Sequence, residues 1–493
     1  MEMRIGVFAL AAMCLAVIAV TQHCEAQQRM TQEQVLTQLI EEIPPLTHPR
    51  DGALPIRASR LQGWLPEDDD AAREFLRALD ARGLALCGHP VPGNADSMTA
   101  ALRTARLQHE LGLEVGVHAS QAMYSFFSGD EDTLHVADDA STFHDESFAA
   151  SKKMGCPFRL EHRKDAIKAQ FREILEPYLA AGLTIDFLYL DWEIDGPIEW
   201  NGAWDSSKRC TVCRENIPEI DDFYAFQAAL RKIRSELQRE CCVEVVQEYF
   251  PEALIGNYSV YPQSGVRYWY DYYERLPEDA PFFPDQLAKN RPWYHEFEPS
   301  GYTFANPVVY TWYATWSWYP RWNNDDYRWF YNLLQVGTNA GRHTPQQIPL
   351  ITWLHWHTTA PPADAPEVPQ MSEWAYQELL WHLYLRGTDG LMMWCTAEET
   401  TKEIGLMTEV MDAMLAHREF IGAGEPVMFN IPDEPGTVVS GLRLADRLLV
   451  RRTDFGGNQQ PSRGVVGDRI VEVPRRDGQT WEIDLSRCEV APQ

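Results

Sequence analysis

Between residues 69 and 395 the sequence repeats one rhythm, a helical stretch followed by a short, almost wholly apolar run. Helical periodicity covers 69–81, 98–112, 160–181, 221–240 and 371–387. The apolar runs fall at 83–88, 113–120, 185–193, 242–250, 306–313, 349–356 and 390–395. A strand that reads as a continuous apolar run is buried on both faces, which is the signature of a parallel sheet covered by helices. An open doubly wound sheet shares this rhythm, but no Gly-rich phosphate loop follows an early strand. Polar and aromatic residues collect at the C-terminal ends of the runs instead, where barrel enzymes carry their sites. The expected fold class is α/β, a (β/α)8 TIM-like barrel. Seven strands are visible. The eighth is expected near 54–59 or inside 121–150.

The pattern changes after about residue 420 to short, partly alternating segments separated by Gly, Pro or Asn. These predict a small C-terminal β-sandwich-like domain packed against the barrel. The expected organisation is a signal peptide over 1–26, an N-terminal extension over 27–60, the barrel over 61–418 and the β domain over 419–493. The leader reading rests on Arg4, the apolar run 6–20 and the Cys24-Glu25-Ala26 cleavage step. The run is shorter than the ~20 residues that span a bilayer. Thr21-Gln22-His23 does not supply the small-residue box of a lipoprotein. The mature chain is therefore expected to be secreted or periplasmic, with no membrane association after cleavage.

The net charge is −29, and loss of Glu2, Arg4 and Glu25 with the leader changes it by one unit. Such acidity argues against a phosphate-backbone partner, because no basic stripe exists to release counterions; no nucleic acid is expected. A neutral, hydrated substrate fits. Eight cysteines remain after cleavage: Cys87, Cys156, Cys210, Cys213, Cys241, Cys242, Cys395 and Cys488. Export permits disulfide bonds. Cys210-Thr-Val-Cys213 has the spacing of a redox or zinc pair, and Cys241 and Cys242 are the candidates to complete it. A local disulfide is the leading expectation, with a structural zinc as the alternative. No metal or other cofactor is expected at the site of chemistry.

That site is expected at LYLDWEID, residues 188–195. Asp191 and Glu193 are two apart on a strand and share a face. Two carboxylates a few ångströms apart push one pKa upward, so Glu193 can hold its proton and serve as general acid, with Asp191 as the partner charge. A second carboxylate from another strand is the conventional alternative. Glu248, read as lying near the end of the strand at 242–250, is the leading candidate, ahead of Asp271, Glu398 and Glu399.

Eleven of the seventeen tryptophans lie between 293 and 394. Trp is rarely fully buried, so this density predicts an aromatic cleft whose rings stack on sugar faces. The expected substrate-binding residues are Trp192, Trp200, Trp204, Tyr258, Tyr261, Trp316, Trp318, His355, His357 and Trp394. His118, His355, His357 and an acid would have to converge for a metal-dependent, deacetylase-type hydrolase.

An Asp-Trp-Glu step at the end of a barrel strand resembles the hyaluronidase family of glycoside hydrolases. The resemblance covers about five residues, beside a general barrel organisation over roughly 80–400. It implies a (β/α) barrel cleaving N-acetylhexosaminide linkages, with Glu193 as the acid and Asp191 orienting the acetamido nucleophile. The family's following Arg-Pro is absent from Ile194-Asp195-Gly196-Pro197. A neutral or differently charged polysaccharide therefore fits at least as well as hyaluronan. The expectation is a glycoside hydrolase acting on a carbohydrate polymer or oligosaccharide. A metal-dependent polysaccharide deacetylase and a non-catalytic carbohydrate-binding protein remain the alternatives.

Overall fold

The computed structural model describes residues 30–62, 64–124, 133–149, 152–193, 198, 201–264, 296–317, 322–358, 368–394 and 399–491. Eight parallel strands carry the fold: β1 (Ile56–Gln62), β2 (Leu84–Gly88), β3 (Gly116–His118), β4 (Phe187–Leu190), β5 (Leu254–Asn257), β6 (Val308–Tyr310), β7 (Ile351–His355) and β8 (Gly390–Met393). They form one sheet in the order β6-β7-β8-β1-β2-β3-β4-β5. The segment before β6 closes the curl. Thr303 N–H and Phe304 N–H both donate to Ile255 O, and Ala305 bridges Leu350 beside β7. The (β/α)8 barrel read from the apolar rhythm is the observed architecture.

The missing strand is β1, at the first of the two expected places. It begins inside the stretch read as an N-terminal extension. One strand was expected in the wrong place. Residues 242–250 continue the helix α5 (Phe223–Gln238) through a π turn at Arg239–Val243 into α6 (Glu244–Tyr249). The true β5 follows as Leu254–Asn257. The run is apolar because Cys241, Cys242, Val245 and Val246 are buried against the barrel core, while Glu244 and Glu248 face solvent. A short helix buried along one side is as apolar as a strand.

The other helices start where the sequence offers caps. Asp68 accepts from Ala71 N–H at the head of α2 (Asp69–Asp80), and Asn324 accepts from Tyr327 N–H at the head of α7 (Asp325–His343). Both have acidic first turns, which suit the positive end of the helix dipole.

Inside the barrel the strands fill the lumen in layers. Arg57 lies over the Phe187 ring at 3.8 Å, and Phe304 stacks on the same Phe187 ring at 5.0 Å. Gly256 is needed here, because a Cβ would sit 2.5 Å from the Phe304 ring. Above it, Tyr189 meets His118 at 4.5 Å and Trp353 at 5.9 Å. The lumen is therefore a packed plug up to the carboxyl ends of the strands.

After the barrel, Thr437–Leu444, Arg447–Asp454 and Thr480–Asp484 form an antiparallel sheet with Glu425–Pro426. Ser462–Val466, Arg469–Val473 and Glu489–Val490 form a second. Val439, Leu448 and Val450 of the first sheet share a core with Val466, Val471 and Val473 of the second, which makes the unit sandwich-like. It docks on α7 and on α8 (Glu373–Tyr384). Arg451 pairs with Glu378 in the buried joint, and His382 meets Ser440 and Thr453 at 2.7 and 2.9 Å.

Candidate active site

Strand alternation sorts the residues at the end of β4. Phe187 and Tyr189 point into the lumen, so Leu188, Leu190 and Trp192 point toward the helices. Trp192 is fully buried, with the Arg234 guanidinium of α5 over its ring at 4.2 Å. It is a wall residue, and its expected place in a substrate cleft is corrected. Asp191 and Glu193, just past the end of β4, are both half-buried and near enough to Tyr310 to act on its phenol.

The backbone between the two acids is held from behind. Asn257, at the end of β5, accepts from Trp192 N–H (3.0 Å) and donates to Trp192 O (3.1 Å). Arg234 donates to the same carbonyl at 2.8 Å and pairs with buried Glu296 at 2.6 Å. From the front, Asp191 N–H donates to Ser120 Oγ at 2.5 Å. Ser120 Oγ in turn meets His118 Nε2 at 2.5 Å, and His118 Nδ1 meets Gln62 Oε1 at 3.0 Å. Gln62 Nε2 donates to Tyr189 OH at 2.7 Å. The network assigns the tautomer: Nδ1–H donates to Gln62, and Nε2 accepts from the Ser120 hydroxyl. Burial holds the His118 pKa well below the usual range, and the neighbouring His89 adds to the effect. His118 is thus a neutral relay between β1 and the loop under Asp191.

Across the lumen stands Tyr310, the last residue of β6. Its ring lies 5.8 Å from His355, 5.9 Å from Trp394 and 6.2 Å from Tyr258. Burial pushes its phenol well above the ordinary value, with further contributions from Tyr258, Asp191, Glu193 and Glu403. Tyr310 therefore stays a neutral hydroxyl facing a group of acids. Glu403, on α9 (Thr400–Leu415), accepts from Trp356 N–H and Tyr376 OH at 2.9 and 2.8 Å, and its other oxygen is 3.9 Å from His355 Nδ1. Burial lifts its pKa to about 8, so it is protonated at neutral pH.

Several expected site residues gather here. Asp191, Glu193, His355 and Trp394 surround Tyr310, and Tyr258 packs below it against Trp353 at 5.4 Å. His357 lies beside His355 at 6.5 Å, with Glu399 Oε1 at 3.7 Å from its Nδ1. Others do not gather. Glu248 is exposed on α6, ahead of the N-terminal end of β5, and is not at a strand's carboxyl end. Tyr261 is buried. Trp204 donates to Ile220 O at 2.6 Å and packs edge-on to Phe223, in a loop unit beside the mouth. Trp316 is half-buried, with Arg328 over one face at 3.9 Å and Trp329 at 5.1 Å. Trp200, Trp318, Asp271 and Glu398 lie outside the described residues.

His118, His355 and His357, which a metal-dependent hydrolase would need to converge, form no metal-compatible group among the described residues. Among the described residues the one metal-compatible cluster is His135, Cys156, Cys210 and Cys213. No disulfide is present among the described residues, and Cys241 and Cys242 stand apart on the π turn after α5. Sequence reasoning missed Gln62, Ser120, Asn257, Tyr310 and Glu403. Tyr310 carried a signal, since it ends β6 as His118 ends β3. Glu403 carried none, being one acid among many on a helix.

No protein-family model matches the chain, and no curated protein matches it. Among solved structures, the chain is similar to the GH36 alpha-galactosidase AgaA from Geobacillus stearothermophilus, at 13% identity and a TM-score of 0.43. That alignment covers 92% of this chain and 58% of the galactosidase, so the chain spans little more than half the length of that enzyme. It is also similar to alpha-L-fucosidase isoenzyme 1 from Paenibacillus thiaminolyticus (12% identity, TM-score 0.35, covering 88% and 86% of the two chains). A family GH13_31 enzyme aligns at 10% identity with a TM-score of 0.39, covering 86% and 95%.

Proposed function

We propose that this chain is an exported glycoside hydrolase that cleaves a carbohydrate polymer or oligosaccharide at the carboxyl ends of its barrel strands. The observation that carries this reading is the pair Asp191 and Glu193. Both stand half-buried just past the end of β4, near a floor of the buried rings Tyr189, Tyr258 and Trp353. Glu193 is the general acid that delivers a proton to the leaving glycosidic oxygen. Asp191, fixed through its own amide on Ser120, stabilises the positive charge that develops at the sugar carbon, or orients an acetamido nucleophile on an N-acetylated sugar. Tyr310 would offer its hydroxyl to the bound sugar, and Trp394 offers a half-buried ring for stacking. A low-dielectric floor strengthens each of these interactions relative to water.

The test is Glu193→Gln. Gln keeps the size but cannot deliver a proton. The variant is expected to keep its circular dichroism and lose ~10²–10⁴-fold in kcat on a natural polysaccharide. The loss is smaller on an activated aryl glycoside, whose leaving group needs little protonation. Asp191→Asn separates the two roles: acetamido orientation predicts a severe loss on N-acetylated sugars alone. A Glu193→Gln protein with normal kcat on the polysaccharide removes Glu193 from the mechanism.

A further inference from the structure

Four residues from three separate stretches meet beside the mouth of the barrel. His135 is on a two-residue strand after β3, and Cys156 precedes the turn Pro157–Arg159. Cys210 and Cys213 open the short helix Thr211–Asn216 after β4. All four are buried, and one donor atom from each lies within 4.8 Å of the others. Cys156 Sγ is 3.5 Å from Cys213 Sγ and 4.0 Å from Cys210 Sγ, and Cys213 Sγ is 3.9 Å from His135 Nδ1.

These distances choose between two chemistries. A disulfide needs sulfurs at about 2.05 Å, and none of the three pairs is bonded. Tetrahedral zinc has Zn–S near 2.3 Å and Zn–N near 2.0–2.1 Å, which sets S···S at about 3.8 Å and S···N at about 3.5 Å. The two S···S distances, 3.5 and 4.0 Å, bracket the first value, and the S···N distance of 3.9 Å is somewhat longer than the second. We propose that His135, Cys156, Cys210 and Cys213 bind one structural zinc ion in a closed Cys3His site.

The surrounding backbone is built to bring these residues together. Gly155 allows the approach, since a Cβ there would lie 2.0 Å from Thr133 Oγ1. The hairpin holding His135 is tied to the Cys210–Cys213 loop by Thr211 Oγ1 to Val136 O (3.2 Å), and the next hairpin is tied to the preceding helix, Trp204–Arg209, by Ser206 Oγ to Asp145 Oδ2 (2.6 Å).

The need for an ion follows from the size of the local core. Besides the three cysteines, only Ile217, Ile220, Phe226 and Leu230 are buried in this satellite cluster among the described residues. Two long excursions, after β3 and after β4, rest on it. Loop-rich units with so little apolar burial are commonly held by a metal or a disulfide. The second excursion begins directly after Glu193, so the ion clasps the loops that flank the acids. Four donors fill the coordination sphere, which makes the role structural and leaves no open position for a substrate.

The full chain, purified without chelators, is expected to contain one zinc per molecule by elemental analysis. Cobalt exchanged for zinc is expected to show the intense visible d–d absorption of a tetrahedral site and a thiolate-to-cobalt charge-transfer band. Cys213→Ser and Cys156→Ser are expected to lose more than ~90% of the zinc, while Cys488→Ser, remote from the cluster, keeps it. Zinc removal from the wild-type chain with a chelator is expected to lower Tm, and added zinc to restore it, which keeps the test valid where a variant fails to fold. An intact mass two hydrogens lighter, with no metal, overturns the proposal in favour of a disulfide. Metal-free protein with every thiol alkylatable, whose Tm does not rise with zinc, overturns it as well. None of these readouts depends on the proposed glycosidase activity.

Discussion

Asn257→Ala isolates the clamp behind the two acids. The wild-type amide makes three buried hydrogen bonds, with Trp192 N–H, Trp192 O and Gln238 Oε1 at 3.0, 3.1 and 2.9 Å. Two of these partners keep a second bond after truncation: Trp192 O retains Arg234, and Gln238 Oε1 retains the Tyr302 hydroxyl. Trp192 N–H loses its acceptor, at the ~1–3 kcal/mol cost of a buried donor left unsatisfied. The removed carboxamide leaves a small void as well. The total is about 3 kcal/mol, or roughly 100-fold in a local opening equilibrium. Hydrogen exchange of the peptide spanning 185–193 is therefore expected to quicken by about that factor. In the assay of the Glu193→Gln experiment, kcat is expected to fall ~10²-fold, the usual consequence of a 1 Å misplacement. Asn94→Ala is the control. It removes an exposed cap from α3 (Ala95–Glu110), at about 1 kcal/mol, and touches nothing near β4. Unchanged exchange in Asn257→Ala would refute the clamp. Fast exchange with unchanged kcat would show that the positions of Asp191 and Glu193 do not depend on it.

Two further outcomes follow from the same geometry. Burial raises Glu403 to about 8 and Asp389 to about 7, so the folded chain holds protons that the unfolded chain has released above about pH 4. Their contribution is full below that pH and is lost as pH rises through the folded values. His118 and His382, kept neutral by burial, act in the opposite sense, but that effect is complete by about pH 7. Tm is therefore expected to fall between about pH 7 and 8.5, and Glu403→Gln to flatten the fall; a wild-type Tm that rises over this range contradicts the assignment. Trp394→Ala, at a half-exposed ring stacked on Tyr310, is expected to weaken oligosaccharide binding with little loss of stability, and unchanged affinity in calorimetry removes Trp394 from the cleft.

The sequence by itself determined the layer architecture and that Asp191 and Glu193 share a face. Apolar runs such as FLYL in β4 are buried on both faces, and that requirement is local enough to read from residue order. Period-two alternation likewise put Asp191 and Glu193 on one face and Trp192 on the other. It could not say which face was the lumen, and the tryptophan went to the helices because Arg234 and Asn257 are there to hold it. The stretch 242–250 was misread because a buried helix turn and a buried strand have the same composition, and only the pairing of Leu254–Asn257 with β4 decides between them. Partnership over long sequence separation was decided by tertiary structure alone. Cys241 and Cys242 are nearer in sequence to Cys210-Thr-Val-Cys213 than Cys156 or His135 are, yet the latter two meet it. Glu403 approaches His355 from 48 residues away, on a helix whose own pattern marks it as an ordinary acid. Short-range periodicity records which face a residue takes, because backbone geometry fixes that within a few residues. Which faces then meet depends on how the strands curl into a barrel, and that information is spread over the whole chain.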